Sequence, residues 1–152
     1  MSDHEHAATS ATQQLCTFHV GAHFFGVPVL HVQEVIRAQQ MTIVPLAHAA
    51  VAGLINLRGQ IVTAVDMRRH LDMPARDNDR EPTNVILRTA DGAVSLLVDD
   101  IGDVIEVDGA TLAPVPPSMT GAARRMLTGV HVLKNQLLMV LDPERAVTLG
   151  TT

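Results

Sequence analysis

The sequence predicts a mainly β fold built from short antiparallel strand pairs. Gly21-Ala22 lies between two short apolar runs, and a glycine in the first central position suits a two-residue hairpin turn. Asp91-Gly92 separates two runs rich in Val, Ile and Leu and is the strongest hairpin signal in the chain. Residues 53–66 align without a gap on residues 129–142, and each copy predicts another hairpin. Strand pairs at this close spacing are typical of sandwiches and small barrels.

The two copies of the motif share their turn and their exit. Apolar residues flank a tight basic turn in both, Arg58-Gly59 in the first and Lys134-Asn135 in the second. Each copy ends on an aspartate, Asp66 or Asp142, whose carboxylate suits the N-cap of a following helix. Pro143 suits the first position of the second helix, because its φ is fixed and its N–H is missing. Helices are therefore expected to be short and few.

Residues 29–36 fit two structures. Their apolar positions are spaced for a turn or two of helix, whereas the alternation of Val32, Glu34 and Ile36 fits a strand. We favour a short helix that leads into an extended segment at residues 41–44.

Composition limits the architecture and the class of partner. A chain of 152 residues with 47% hydrophobic content fits one domain, or two small lobes that share a core. Aromatic residues make up only 2%, so few side chains could stack on nucleic-acid bases. The formal net charge of −5 disfavours nucleic acid or an anionic membrane as the partner. A protein partner is the better expectation.

The repeat also predicts how the chain is divided. We expect a disordered tail at residues 1–14 and a single domain at residues 15–150. Within that domain, lobe one is mostly 15–75 and lobe two mostly 82–150, with strand exchange between the lobes allowed. The charged and proline-rich segment 72–82 is the expected connection.

Cysteine usage and hydropathy favour a cytoplasmic protein. Cys16 is the only cysteine, so an intrachain disulfide is excluded and a reducing compartment is favoured. The first residues lack the apolar core of a signal peptide, and no apolar run is long enough to insert into a bilayer.

The sequence carries no pattern typical of an enzyme. The eight histidines follow no compact ligand spacing such as HExxH, and Cys16 has no neighbouring base. The acidic stretch 99–108 lacks the ligand spacing of a calcium loop, and phosphate-binding glycine loops are absent. We therefore expect no catalytic residue, no metal and no cofactor. A metal-dependent hydrolase that uses the scattered His and Asp residues is the enzyme alternative.

Seven features, in this order along the chain, resemble the CheW family of chemotaxis coupling proteins. They are Phe24-Phe25-Gly26-Val27, Val32-Gln33-Glu34-Val35, Pro45, Gly53 with Asn56-Leu57-Arg58-Gly59, Val65-Asp66-Met67-Arg68, Val98-Asp99 with Val104, and the closing Gly129 to Leu141-Asp142 hairpin. Together they span about residues 15–147, which makes the resemblance far more specific than one four-residue motif.

The resemblance implies both a fold and a function. The fold would be two five-stranded, SH3-like β-barrel lobes packed side by side, with a few short helices. The function would be a non-catalytic adaptor that couples the cytoplasmic tips of methyl-accepting chemoreceptors to the regulatory domain of the chemotaxis histidine kinase. Such an adaptor is cytoplasmic and associated with membrane-bound receptor arrays, without inserting into the membrane. The alternative is an accessory scaffold or competitor in a second chemosensory pathway, serving pili or a second messenger.

The resemblance also implies a receptor-binding surface. Its residues, by motif position, are Val32, Glu34, Gly53, Asn56, Arg58 and Ile61. Arg58 would bind the receptor or hold Glu34 in place, and otherwise is a solvated turn residue. Val32 and Ile61 could equally be core residues, and Asn56 a strand-end cap. The kinase-binding residues are not assigned.

Overall fold

The computed structural model describes residues 12–77 and 80–148, which form two five-stranded sheets and three short α-helices. The first sheet has the order β8-β1-β2-β10-β9 and contains β1 (Thr12–Val20), β2 (His23–Pro28), β8 (Asp100–Asp108), β9 (Leu127–Val132) and β10 (Leu137–Leu141). The second has the order β3-β6-β7-β5-β4 and contains β3 (Val32–Arg37), β4 (Val51–Leu57), β5 (Gln60–Asp66), β6 (Thr83–Thr89) and β7 (Gly92–Val98). The helices are α1 (Met67–His70), α2 (Gly121–Met126) and α3 (Pro143–Val147).

The predicted mainly β fold of two five-stranded lobes is therefore confirmed. In each lobe the two outermost strands do not pair with each other, so the lobe is an open sheet rather than a barrel closed by hydrogen bonds. The predicted N-caps are also confirmed. Asp66 accepts hydrogen bonds from the backbone N–H groups of Arg68 and Arg69, and Asp142 accepts them from Glu144 and Arg145.

The duplicated motif occupies equivalent positions in the two sheets. β5 pairs in parallel with β7, and β10 pairs in parallel with β2. Gly53 pairs with Ala64 in the first copy, and Gly129 pairs with Val140 in the second, at the same register. The repeat in the sequence is thus a repeat of pairing geometry.

The sheets divide the chain differently from the expected lobe ranges of 15–75 and 82–150. Residues 12–28 join residues 100–141 in one sheet, and residues 32–98 form the other. The physical reason is the parallel pairing, which places β2 beside β10 and β7 beside β5. Segment 72–82 therefore connects two strands of one sheet, and the chain passes between the sheets near residues 29–31 and at Asp99.

Three local expectations need correction. Only residues 29–31 form a 3-10 turn, whereas Val32–Arg37 is a strand because its backbone pairs with β6. Of the tail expected at 1–14, residues Thr12–Gln14 belong to β1 and pair with β8, while residues 1–11 lie outside the described residues. The hairpin turn expected at Asp91-Gly92 lies one residue earlier. Thr89 pairs with Gly92, so Ala90 and Asp91 form the loop.

The largest core lies between the sheets. Phe18 and Phe25 from the first sheet are fully buried with Leu87, Leu96 and Val98 from the second. A smaller apolar cluster is formed within each sheet by residues of its own strands. Burial of this shared core holds the two sheets in one arrangement.

Asp99 adds a polar connection at the point where the chain crosses between the sheets. Its side chain is 8% exposed and accepts hydrogen bonds from the backbone N–H of Gly21 at 2.7 Å, from Arg68 at 2.6 and 2.9 Å, and from Arg76 Nε at 2.9 Å. Burial alone would raise the pKa of Asp99, but these donors outweigh it and hold the pKa far below its ordinary value.

We expect Asp99→Asn to lower the free energy of unfolding by about 3 kcal/mol, because it removes one partner of a buried ion pair. The contribution of Asp99 is complete above the pKa of the unfolded carboxyl, about 3.9, and is lost as the pH falls toward the lower pKa of the folded carboxyl. Urea denaturation at several pH values measures both effects. Asp91→Asn in an exposed turn is the control and should change stability by less than about 0.5 kcal/mol. Equal stability of the Asp99 variant and the wild type would contradict this role.

Burial of His131 leads us to expect a second pH dependence of the stability of the fold. The ring is 3% exposed, its Nδ1 lies 3.2 Å from Thr111 Oγ1, and burial lowers its pKa despite the nearby charge of Asp108. The unfolded histidine therefore binds a proton at pH values where the folded one stays neutral, so stability falls as the pH drops below about 6.5. In the first copy of the duplicated motif, the position aligned with His131 is occupied by Ile55, which is also buried.

We expect His131→Ile to flatten the decrease in stability between pH 7 and pH 5, as followed by thermal unfolding. His31→Gln at an exposed position is the matched control and should keep the wild-type profile. A His131→Ile profile as steep as that of the wild type would refute the assignment.

Candidate partner-binding site

The candidate site is built on the tight turn between β4 and β5. Leu57 pairs with Gln60, which leaves Arg58 and Gly59 as the two turn residues. Their φ angles are 53° and 89°, so both adopt the left-handed conformation that a type I′ turn requires. Gly59 has the positive φ expected from the sequence. Arg58 pays a conformational cost there, because its Cβ crowds the backbone.

Asn56 holds this turn in place. Its Oδ1 accepts a hydrogen bond of 2.8 Å from the backbone N–H of Gly59. The side chain is exposed and lies opposite Ile61 across the hairpin. Paired residues of antiparallel strands project from the same face, so Asn56 and Ile61 share one surface.

Arg58 connects the two edges of its sheet. β3 and β4 are the outermost strands of the second sheet, yet Arg58 Nη2 donates a hydrogen bond to Glu34 Oε2 on β3. The sheet must therefore curve until its edges approach each other. The hydrogen bond from Arg58 holds the pKa of Glu34 below its ordinary value. The side chain of Arg58 is still 68% exposed, so it remains accessible to a partner.

The structure brings four of the six predicted residues together on one exposed surface. We call this the Arg58 surface, and it consists of Glu34, Asn56, Arg58 and Ile61. Ile61 is 61% exposed, which makes it a surface residue rather than part of the core.

The other two predicted residues lie behind this surface. Val32 is half-buried and packs against the core between the sheets. Gly53 is buried, and a Cβ at this position would lie 2.7 Å from the carbonyl oxygen of Thr42. Both residues therefore support the strands that carry the surface.

The sequence predicted an extended segment at residues 41–44, between β3 and β4, but not that apolar side chains in and after it are exposed. Thr42 exchanges backbone hydrogen bonds of 2.9 and 2.8 Å with Leu54, which places this segment along the free edge of β4. Ile43 next to it is 72% exposed, and Leu46 is fully exposed with a φ of 66°. The available signal was an apolar run interrupted by Pro45, which suits neither a buried strand nor a core helix.

The second copy of the motif does not reproduce the site. β9 ends at Val132 and β10 begins at Leu137, so the regular strand pairing stops one residue pair earlier than in the first copy, although Leu133 N–H still donates a hydrogen bond of 2.9 Å to the carbonyl of Gln136. Val132 occupies the position aligned with Asn56 and is 77% exposed. Within the described part of the chain, Lys134 forms no ion pair. The paired arginine is thus a property of the first copy.

The described residues contain neither a cluster of metal-ligating side chains nor a helix that could cross a membrane. Within residues 12–77 and 80–148, no group of three or more His, Cys, Asp or Glu side chains is placed to hold a metal ion. No helix in these ranges combines the length and apolar character that a membrane crossing requires. Cys16 is buried, and burial raises the pKa of its thiol.

Residues 14–149 match a family model described as the CheW-like domain. The chain belongs to the CheW-like domain family. The resemblance noted from the sequence motifs is thereby confirmed over nearly the whole described chain.

Relatives and a solved structure agree with this assignment. The chemotaxis protein CheW of Klebsiella aerogenes is 26% identical over 142 residues, covering 93% of this chain and 86% of that protein. The chemotaxis protein CheW of Treponema pallidum is 29% identical over 133 residues, covering 85% of this chain and 78% of that protein. The scaffolding protein TtCheW of Thermoanaerobacter tengcongensis has a similar structure, with a TM-score of 0.82 at 20% identity. The match covers 92% of this CheW-like chain and 95% of that one.

The strained turn gives a prediction about stability. We expect Arg58→Asn to raise the free energy of unfolding by about 0.5 kcal/mol, because asparagine tolerates positive φ better than arginine and Asn-Gly suits a type I′ turn. Loss of the exposed contact to Glu34 should offset only part of this gain. Chemical denaturation measures the change in the free energy of unfolding. The matched control is Arg37→Asn, at an exposed position on β3, which should show no gain in stability. Destabilisation by more than about 1 kcal/mol would show that the ion pair outweighs the strain.

Proposed function

We propose that this chain is a non-catalytic adaptor that couples chemoreceptor cytoplasmic tips to the chemotaxis histidine kinase in signalling arrays. Membership of the CheW-like domain family supports the proposal, as do the chemotaxis relatives and the structural similarity to a scaffolding protein. The observation that carries it is the exposed Arg58–Glu34 pair on the strained turn of the first hairpin.

The chemistry of the Arg58 surface suits a helical partner. A receptor tip is a helical hairpin, which presents an apolar stripe flanked by polar side chains. Ile61 supplies apolar contact area, while Asn56 and Arg58 supply hydrogen-bonding groups beside it. Because Glu34 fixes one nitrogen of the guanidinium, Arg58 is oriented before the partner arrives, and less side-chain entropy is lost on binding.

The six residues named from the sequence have two roles in this proposal. Glu34, Asn56, Arg58 and Ile61 contact the receptor. Val32 and Gly53 maintain the strands, because Val32 packs on the core and Gly53 allows the backbone at Thr42 to approach β4. The partner on the other side is the regulatory domain of the kinase, whose contact residues stay unassigned. The adaptor would act in the cytoplasm, beside membrane-bound receptors.

We expect Arg58→Ala and Glu34→Ala each to weaken binding to a receptor-tip fragment about tenfold, which corresponds to the loss of one charge-assisted hydrogen bond. Isothermal titration calorimetry measures the affinity, and circular dichroism checks that the fold is kept. Arg37→Ala is the control, because Arg37 is likewise an exposed arginine and lies on the same strand as Glu34, but its side chain has no partner among the described residues.

Arg58→Asn separates the effect on binding from the effect on stability, since it should weaken the receptor complex while leaving the protein at least as stable.

The whole proposal fails if the wild-type chain binds neither the receptor tip nor the kinase regulatory domain. A reconstituted mixture of receptor, kinase and this chain then distinguishes an activating coupler from a competitor, because only the coupler raises kinase activity.

A further inference from the structure

A cavity of about 430 Å³ opens where the three helices meet, away from the Arg58 surface. It lies between the end of α1, one side of α2 and the end of α3. Its lining residues are His70, Ala122, Arg125, Met126, Arg145 and Thr148. A volume of this size lies within the range of pockets that bind small organic molecules.

The inner part of the cavity is apolar. Met126 is 1% exposed, and Ala122 beside it is half-buried. Burial lowers the pKa of His70, the nearby charges of His48 and Arg125 lower it further, and a hydrogen bond with the backbone of Ala146 only partly opposes them. Its Nε2 is buried and has no hydrogen-bond partner among the described residues. The inner surface therefore combines apolar contacts with one unsatisfied polar atom.

The rim of the cavity is positively charged. Arg125 is exposed and makes no side-chain hydrogen bond or ion pair within residues 12–77 and 80–148. Arg145 is 52% exposed, and its Nε lies 3.4 Å from Asp142 Oδ2, so its charge is partly balanced. The rim therefore carries the two guanidinium groups of Arg125 and Arg145 and the one carboxylate of Asp142, which leaves a net positive charge at the opening.

We propose that this cavity binds a small amphiphilic carboxylate. The carboxylate pairs with Arg125 and Arg145 at the rim, in the bidentate geometry that guanidinium groups favour. The apolar body of the ligand lies on Met126 and Ala122. None of these residues belongs to the Arg58 surface, so the proposal does not rest on the receptor contacts described above.

Octanoate is the probe for the first test, titrated into the ¹⁵N-labelled full chain and followed by NMR. We expect saturable shifts at the backbone amides of Ala122, Arg125 and Thr148. Acetate lacks the apolar body and octan-1-ol lacks the charge, so each should bind at least about tenfold more weakly. Absence of saturable shifts with octanoate, or equal binding of octan-1-ol, would overturn the proposal.

Variants test the contributions of the charged rim and of the apolar inner part of the cavity separately. The double variant Arg125→Ala/Arg145→Ala should weaken octanoate binding by at least about tenfold, whereas Arg37→Ala should leave it unchanged. Ala122→Phe keeps both arginines but fills the cavity, and it should also reduce binding. Circular dichroism checks that each variant folds. Unchanged octanoate affinity in the folded double variant would overturn the assignment of the rim, and with it the proposal.

Discussion

The arrangement of the two sheets depends on the junction at Asp99. Asp99 lies between the end of β7 in the second sheet and the start of β8 in the first, so the chain crosses from one sheet to the other at this residue. Its carboxylate joins the β1–β2 turn at Gly21 to Arg68 in α1 and to Arg76 in the segment between α1 and β6. A buried carboxylate with four donors has few alternative arrangements, because any shift leaves charges unpaired. The aliphatic core beside it is far less directional, so the polar junction specifies the relative position that the core stabilises.

The two copies of the duplicated hairpin share their strand pairing but differ at their turns. Gly53 and Gly129 lie in the same register, and each allows a backbone carbonyl to approach where a side chain would clash. Both hairpins end on an aspartate that caps a helix. The copies diverge at their turns, where Arg58 adopts positive φ and reaches Glu34. Folding alone does not require a strained, exposed and charged residue on a hairpin, and Arg58 is the residue on which the proposed receptor contact is centred.

Local signals predicted much of the chain, because turns and caps depend on a few neighbouring residues. Gly21 and Gly59 have the positive φ angles that their turns required, and Asp142 caps a helix that begins with Pro143. The expectation of a helix over residues 29–36 failed because pairing with β6, far along the chain, outweighs local spacing. The relative positions of the candidate site residues were likewise predictable only in part. Glu34 and Arg58 do meet, whereas Gly53 and Val32 lie behind the surface, where no local pattern could place them.

The sequence by itself determined the hairpins, the helix caps, the family and the position of the basic turn. These properties depend on backbone preferences and on motifs within short segments. The tertiary structure decided which hairpins share a sheet, which edge strands approach each other and which motif residues stay exposed. The reason is that parallel pairing, sheet curvature and burial depend on contacts between distant segments. Arg58 and Glu34 illustrate this division, since the turn was predictable from adjacent residues but its contact required a sheet curved until its edges meet.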